Sequence, residues 1–166
     1  MNQTLESLLR FVNLTTSGLL AGSLGFGEQA LVPGWQHELP KHADRDHRAR
    51  AIAALTNATN YFNAIGPVAL GTAVTLAVGS RNVKPIKRVL DAAAAVSLAG
   101  VLAATIMVTV PINKELEGQA PTDYPSDRSQ SLVKNWSRAH AVRTTLGVGA
   151  FLCAVASNLS RRSQAK

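Results

Sequence analysis

Val110-Pro111-Ile112-Asn113 closes one apolar run, and Trp136-Ser137-Arg138-Ala139-His140-Ala141-Val142-Arg143 opens the next. Between them runs a hydrophilic stretch, Lys114 to Lys134, carrying Pro121, Asp123, Tyr124, Pro125 and Asp127. Trp136, His140 and Arg143 are spaced by four and three residues, so a helix puts them on one face. The pattern reads as two polar-tipped helix ends facing each other across a loop. Long apolar runs on either side make those helices membrane crossings.

Working outward, Ala51 to Ser80 carries no charge and is longer than the roughly 20 residues a straight crossing needs. Phe11 to Gly27 is uncharged between Arg10 and Glu28, close to the lower limit of about 17 residues for a span. Arg10 stands just before that run and no small-x-small cleavage site follows, so the segment is expected to be a helix rather than a removed signal. Gly18, Gly22 and Gly25 give it a small-residue face suited to close packing in lipid. Leu90 to Val110 is alanine-rich, again allowing close backbone approach. The expected architecture is all-α, a multi-pass bundle of four transmembrane helices, with approximate spans 9–29, 51–79, 90–112 and 134–159 in one domain covering 1–166.

Composition agrees. Charged residues are 16% of the 166-residue chain, against about 25% in soluble proteins. Mean hydropathy is only +0.09 because charged loops dilute the apolar segments. The net charge of +7 sits in short basic clusters such as Arg81, Lys84, Lys87 and Arg88, which flank apolar runs instead of tracking a phosphate backbone. Nucleic acid is therefore not an expected partner; the lipid bilayer is. The single cysteine, Cys153, lies inside an apolar run and has no internal disulfide partner.

Four crossings would put both termini and the Arg81–Arg88 hinge on one side, with Glu28, Asn113, Trp136 and all four histidines on the other. The dense basic hinge favours termini in the cytoplasm and a cell-membrane location. The second segment opens with a polar stripe at helical spacing, Asn57, Asn60 and Asn63, beside Tyr61. Amides there would be costly against lipid. They serve either as interhelical hydrogen-bond partners or, with Tyr61, as the lining of a substrate pocket. Pro67 is expected to kink that helix.

His37, His42 and His47 share the loop expected from Ala30 to Arg50, but spacings of five match no compact metal motif. Solvated loop histidines are one reading. The other joins His140 to His37, His47 and Glu28 in a mixed site for iron or copper. Glu28 and Asp91 stand at helix ends, which disfavours a proton-coupled carrier. Only His140 approaches a crossing, which disfavours a haem subunit.

The combination Val110-Pro111-x-Asn113-x-x-Leu116 and Trp136-x3-His140-x2-Arg143-Thr144, with the exit Leu31-Val32-Pro33-Gly34-Trp35 after the first segment, resembles the anthrone oxygenase-like membrane family over essentially the whole chain. That resemblance implies oxidation of a hydrophobic aromatic molecule by dioxygen, with Asn113, Trp136, His140 and Arg143 as functional positions. It supplies no cofactor. Removing the acidic proton opposite an anthrone carbonyl yields an anion able to react with dioxygen directly, so no cofactor is strictly needed. His140 suits the role of base, Arg143 and Asn113 could stabilise the anionic oxygen, and Trp136 could stack on a flat substrate. The bland alternatives are an interfacial Trp136, a snorkelling Arg143 and a His140 that ties helix ends together. A non-enzymatic scaffold or interaction subunit is the competing class. The small-residue faces also suit homo-oligomer formation.

Overall fold

The computed structural model describes residues 1–33, 45–79, 84–118 and 127–162, and every element in it is helical. Helix α1 is Gln3–Phe26 and runs into a π turn at Gly27–Leu31. Helix α2 is Arg45–Gly79 and α3 is Pro85–Ala104. A second π turn, Thr105–Thr109, joins α3 to α4, Val110–Gly118. Helix α5 is Asp127–Arg162.

The ends of these helices follow from local chemistry. Asn2 caps α1, its side-chain oxygen accepting from the Leu5 amide at 2.8 Å, and Glu6 sits in the first turn where the helix dipole favours a negative charge. Pro85 opens α3, a position where its missing N–H costs nothing. The helices begin and end beyond the apolar runs. The loop expected to last until Arg50 gives way to α2 at Arg45, and helix continues beyond the span expected to end at residue 112, as far as Gly118. The reason is shared: polar residues outside the hydrocarbon layer still form helix when capping and neighbouring turns support it. Pro67 lies inside α2 without breaking it.

The long helices pack in a ring, α1 on α2, α2 on α3, α3 on α5 and α5 on α1. Arg10, Asp91 and Ser157 meet, so the starts of α1 and α3 and the end of α5 share one pole. Leu24 meets His140 at the other. The arrangement is up-down-up-down. The central core is Leu20, Leu24, Ala69, Ala73, Leu98, Val101 and Ala150, and a second cluster around Trp136 includes Val32, Ile112, Leu116, Leu132 and Val133.

Polarity is inverted relative to a water-soluble bundle. Arg10, Lys87, Asp91, His140 and Arg143 are buried, while Phe11, Phe26, Val96 and Met107 are each at least 67% exposed. Water would penalise that surface and hydrocarbon would not. Asn60–Gly79, Pro85–Gly118 and Asp127–Ser160 are each long and apolar enough to cross a membrane. The chain is thus an integral membrane protein with four long helices. The small-residue face of α1 is used only in part. A Cβ on Gly18 would lie 3.1 Å from Phe151, but among the described residues Gly22 and Gly25 meet nothing within 4 Å. The tighter crossing of α1 with α5 is made from the other side, where Gly147 admits Leu24 to 2.8 Å from the place a Cβ would occupy.

Candidate active site

His140 and Arg143 lie on α5 between Trp136, in the upper cluster, and Ala150, in the central core. Both are buried, at 4% and 3% exposure. The snorkelling Arg143 and interfacial Trp136 are therefore overturned: Trp136 is 4% exposed and packs among side chains. Its indole stacks on the His140 ring with centroids 5.0 Å apart and planes 5° from parallel. One face of the indole is thus occupied by the imidazole, and Trp136 orients His140 instead of offering that face to a substrate.

The imidazole Nε2 lies 3.1 Å from the Leu24 carbonyl oxygen at the end of α1. A carbonyl only accepts, so this contact assigns the ring proton to Nε2 and leaves the lone pair of the neutral ring on Nδ1. Nδ1 is buried and has no hydrogen-bond partner among the described residues. The Leu24 oxygen also accepts from Thr144 Oγ1 at 3.4 Å. Gly27, first residue of the π turn, makes the approach possible: a Cβ there would stand 2.9 Å from His140 Nε2. Glu28 Oε2 lies 3.9 Å from Nε2, beyond hydrogen-bond reach.

Arg143 donates from Nη1 to Thr109 Oγ1 at 3.0 Å, and its guanidinium carbon lies 5.3 Å from the centroid of Phe62, a cation–π distance. Among the described residues no carboxylate pairs with it, and its Nε is buried without a hydrogen-bond partner. Thr109 ends the second π turn. Wide turns of this kind recur at functional sites because they re-aim backbone and side chains, and here both flank the same pair of residues. Asn113, on α4 just beyond, is also buried. Beside Arg143 the helices leave a void of about 20 Å³ walled by Leu20, Phe62, Leu98, Val101, Leu102 and Thr105.

Other expected site residues fall elsewhere. Asn60 and Tyr61 are exposed on α2, with the Tyr61 hydroxyl 3.2 Å from Ser23 Oγ; their stripe neighbour Asn63 is the one that borders the void. The side chain of Asn57 lies outside the described residues. So do His37, His42 and the side chain of His47, and with them most of the expected metal site. Of that set, His140 and Glu28 do approach each other, but the described residues hold no cluster of three metal-binding side chains.

A family model for anthrone oxygenases matches residues 41–153. The chain belongs to the anthrone oxygenase family. No curated protein and no solved structure matches it. The anthrone oxygenase match takes in Asn113, Trp136, His140 and Arg143, but it is shorter than the whole-chain resemblance: α1 and its exit stay outside. Leu24, Gly27 and Glu28, which complete the surroundings of His140, therefore come from the part of the chain the family pattern does not cover. Sequence reasoning missed Leu24, Gly27, Phe62 and Thr109. Thr109, four residues before Asn113 on the same apolar run, was the one with a readable signal, being a hydroxyl beside the motif.

Proposed function

We infer that this chain is a membrane oxygenase that oxidises a hydrophobic, anthrone-like aromatic molecule with dioxygen. The observation that carries it concerns the described residues: among them a buried imidazole with an unpartnered Nδ1 lies one helical turn from a buried guanidinium that has no carboxylate partner. A base and a fixed positive charge, held together in an apolar bundle, are what carbanion formation from a phenolic ketone requires.

In this reading Nδ1 of His140 takes one proton from the methylene carbon opposite the carbonyl. Negative charge moves to the carbonyl oxygen, where Arg143, assisted by Asn113, stabilises it. The anion's electrons form a C–O bond with dioxygen, and the returning proton makes a hydroperoxide. Loss of the second methylene proton with cleavage of the O–O bond gives the quinone carbonyl and water. The carbon is oxidised by four electrons and dioxygen is reduced by four, so no external reductant enters. The base supplies proton transfer and the cation supplies charge stabilisation; neither step calls on a metal.

The void of about 20 Å³ holds roughly one water-sized molecule, whereas pockets for drug-sized ligands span about 300–1,000 Å³. The helices must therefore separate at this pole to admit an anthrone, and Asn60 and Tyr61, exposed on α2, are the polar residues proposed to line its path. The cell membrane with cytoplasmic termini is the setting proposed for it. The deciding experiment is anthrone turnover by purified protein in lipid nanodiscs, comparing wild type with His140→Ala and Arg143→Ala. Loss in both supports the reading; full activity in both ends it.

The bond from His140 to the Leu24 carbonyl also supports a second reading, in which the imidazole only ties α5 to α1. That predicts lowered thermal stability in His140→Ala with no change in turnover per folded molecule.

A further inference from the structure

The proton chemistry at His140 leaves the void beside Arg143 unused. Its walls are carbon at Leu20, Phe62, Leu98, Val101 and Leu102, with Asn63, Thr105 and Arg143 as the polar members. Thr105 contributes a hydroxyl, but that hydroxyl already donates to the Val101 carbonyl at 2.7 Å. A buried water typically makes two to four hydrogen bonds, and with the Thr105 hydroxyl engaged only Asn63 and Arg143 remain to supply them, the bottom of that range. A small apolar gas needs none. Gly66 stands at the α2 edge of the void, and among the described residues nothing lies within 4 Å of where its Cβ would be. The neighbouring outer surface is hydrocarbon-like, with Val68 46% and Val96 73% exposed, and dioxygen dissolves more readily in hydrocarbon than in water.

We propose that this void is the dioxygen-docking site, supplied from the lipid past Gly66 and bounded by the Arg143 guanidinium. The proposal rests on the oxygenase reading above and adds a place for the second substrate. Ground-state dioxygen is a triplet, so it accepts one electron from the substrate anion before any bond forms. Superoxide and a substrate radical result, and their recombination makes the C–O bond. No further electron source is involved. Apolar walls suit the neutral gas, and the buried cation stabilises the superoxide once it forms.

Xenon is the probe, because it occupies dry apolar cavities. Wild-type protein in lipid nanodiscs is titrated with xenon and followed by xenon NMR, alongside Val101→Ile, which adds one methylene to the void, and Leu102→Ala, which enlarges it. Saturable binding is expected in wild type, with loss in Val101→Ile and retention in Leu102→Ala. In turnover assays Val101→Ile should raise KM for dioxygen roughly tenfold, the effect of one misplaced methylene in a tight pocket, with KM for anthrone unchanged. Xenon that ignores the wild-type protein, binding indifferent to Val101→Ile, or an unaltered KM for dioxygen in that variant would each overturn the assignment. Leu102→Ala keeps the test decisive if Val101→Ile does not fold, since an enlarged void that binds no xenon is equally fatal. A wild type that binds xenon as described yet never consumes anthrone would sink the enzymatic reading and still support a gas site here.

Discussion

Arg10 and Asp91 meet through two parallel hydrogen bonds, Nη1 to Oδ1 at 3.1 Å and Nη2 to Oδ2 at 3.0 Å, at the pole of the bundle opposite His140. Both are buried, at 3% and 4% exposure. Ser157 donates to the same carboxylate at 2.6 Å, and Glu6 accepts from Arg10 at 2.9 Å and from Lys87 at 2.7 Å. The network joins α1, α3 and α5 at that end. Breaking a buried pair by removing one partner leaves an uncompensated charge, at a cost of about 3–5 kcal/mol. Asp91→Ala should therefore lower the thermal midpoint in detergent markedly, whereas replacing both Arg10 and Asp91 by apolar residues should cost less. Equal midpoints for Asp91→Ala and wild type would show that the pair is dispensable.

The same network gives a pH dependence. Burial pushes the Glu6 carboxyl upward, but hydrogen bonds from Lys87 and Arg10, with their charges, outweigh it and hold the group at about 2, below its ordinary 4.5. A depressed folded-state value means the carboxylate's contribution is fully present above about 4.5 and is lost as pH falls from there toward 2. Stability measured by thermal unfolding should decline across that window, and the decline should be shallower in Glu6→Gln. Parallel pH curves for the two proteins would remove Glu6 from the account.

The pair was within reach of the sequence, though not as a pair. Arg10 and Asp91 are 81 residues apart, and each reads singly as a charge near a helix end. Only the up-down-up-down topology makes α1 and α3 parallel and brings their first turns to one level. The stripe Trp136, His140, Arg143 was legible because helical spacing alone puts those side chains on one face. What they face was not. The acceptor for His140 is the backbone oxygen of Leu24, which no residue type encodes, and the π turns at Gly27–Leu31 and Thr105–Thr109 leave no compositional mark. The expected face of Gly18, Gly22 and Gly25 is used within the described chain only at Gly18, for a related reason. Small residues permit close packing, but which of them is used depends on where the neighbouring helix passes.

Gly27→Ala tests how closely the imidazole must be seated. A methyl group 2.9 Å from Nε2 and 3.1 Å from Cε1 forces His140 or the π turn to shift. Misplacement of a catalytic group by about 1 Å can cost about 100-fold in rate. The expected result is a fall in kcat of that order for anthrone, with the helical content by circular dichroism unchanged. An alanine variant with wild-type kcat would mean the position of His140 is not limiting.

Trp136 separates positioning from substrate contact. Because its indole already stacks on His140, Trp136→Phe should keep a ring against the imidazole, lowering kcat modestly and leaving KM for anthrone unchanged. Trp136→Ala empties part of a packed cluster and should destabilise the fold by about 3–5 kcal/mol. A KM that rises in Trp136→Phe with kcat preserved would instead assign the indole to the substrate.

Arg143→Met opposes stability to function most directly. The guanidinium is buried, with one hydrogen bond to Thr109 and a ring beneath it, and no carboxylate neutralises it among the described residues. A charge so placed costs several kcal/mol of desolvation that its neighbours do not fully repay. An apolar side chain of similar length keeps the contact with Phe62 and removes that penalty, costing only the hydrogen bond that the Thr109 oxygen accepts from Arg143. Arg143→Met should therefore be as stable as wild type or more so. If the charge is retained for the anion formed from substrate, turnover should fall by about 100-fold or more, the usual loss when one oxyanion-stabilising donor is deleted. Thermal unfolding and turnover measured on the same preparation decide it. A variant that is both less stable and fully active would show the guanidinium to be structural, and the assignment of Arg143 as anion stabiliser would fall with it.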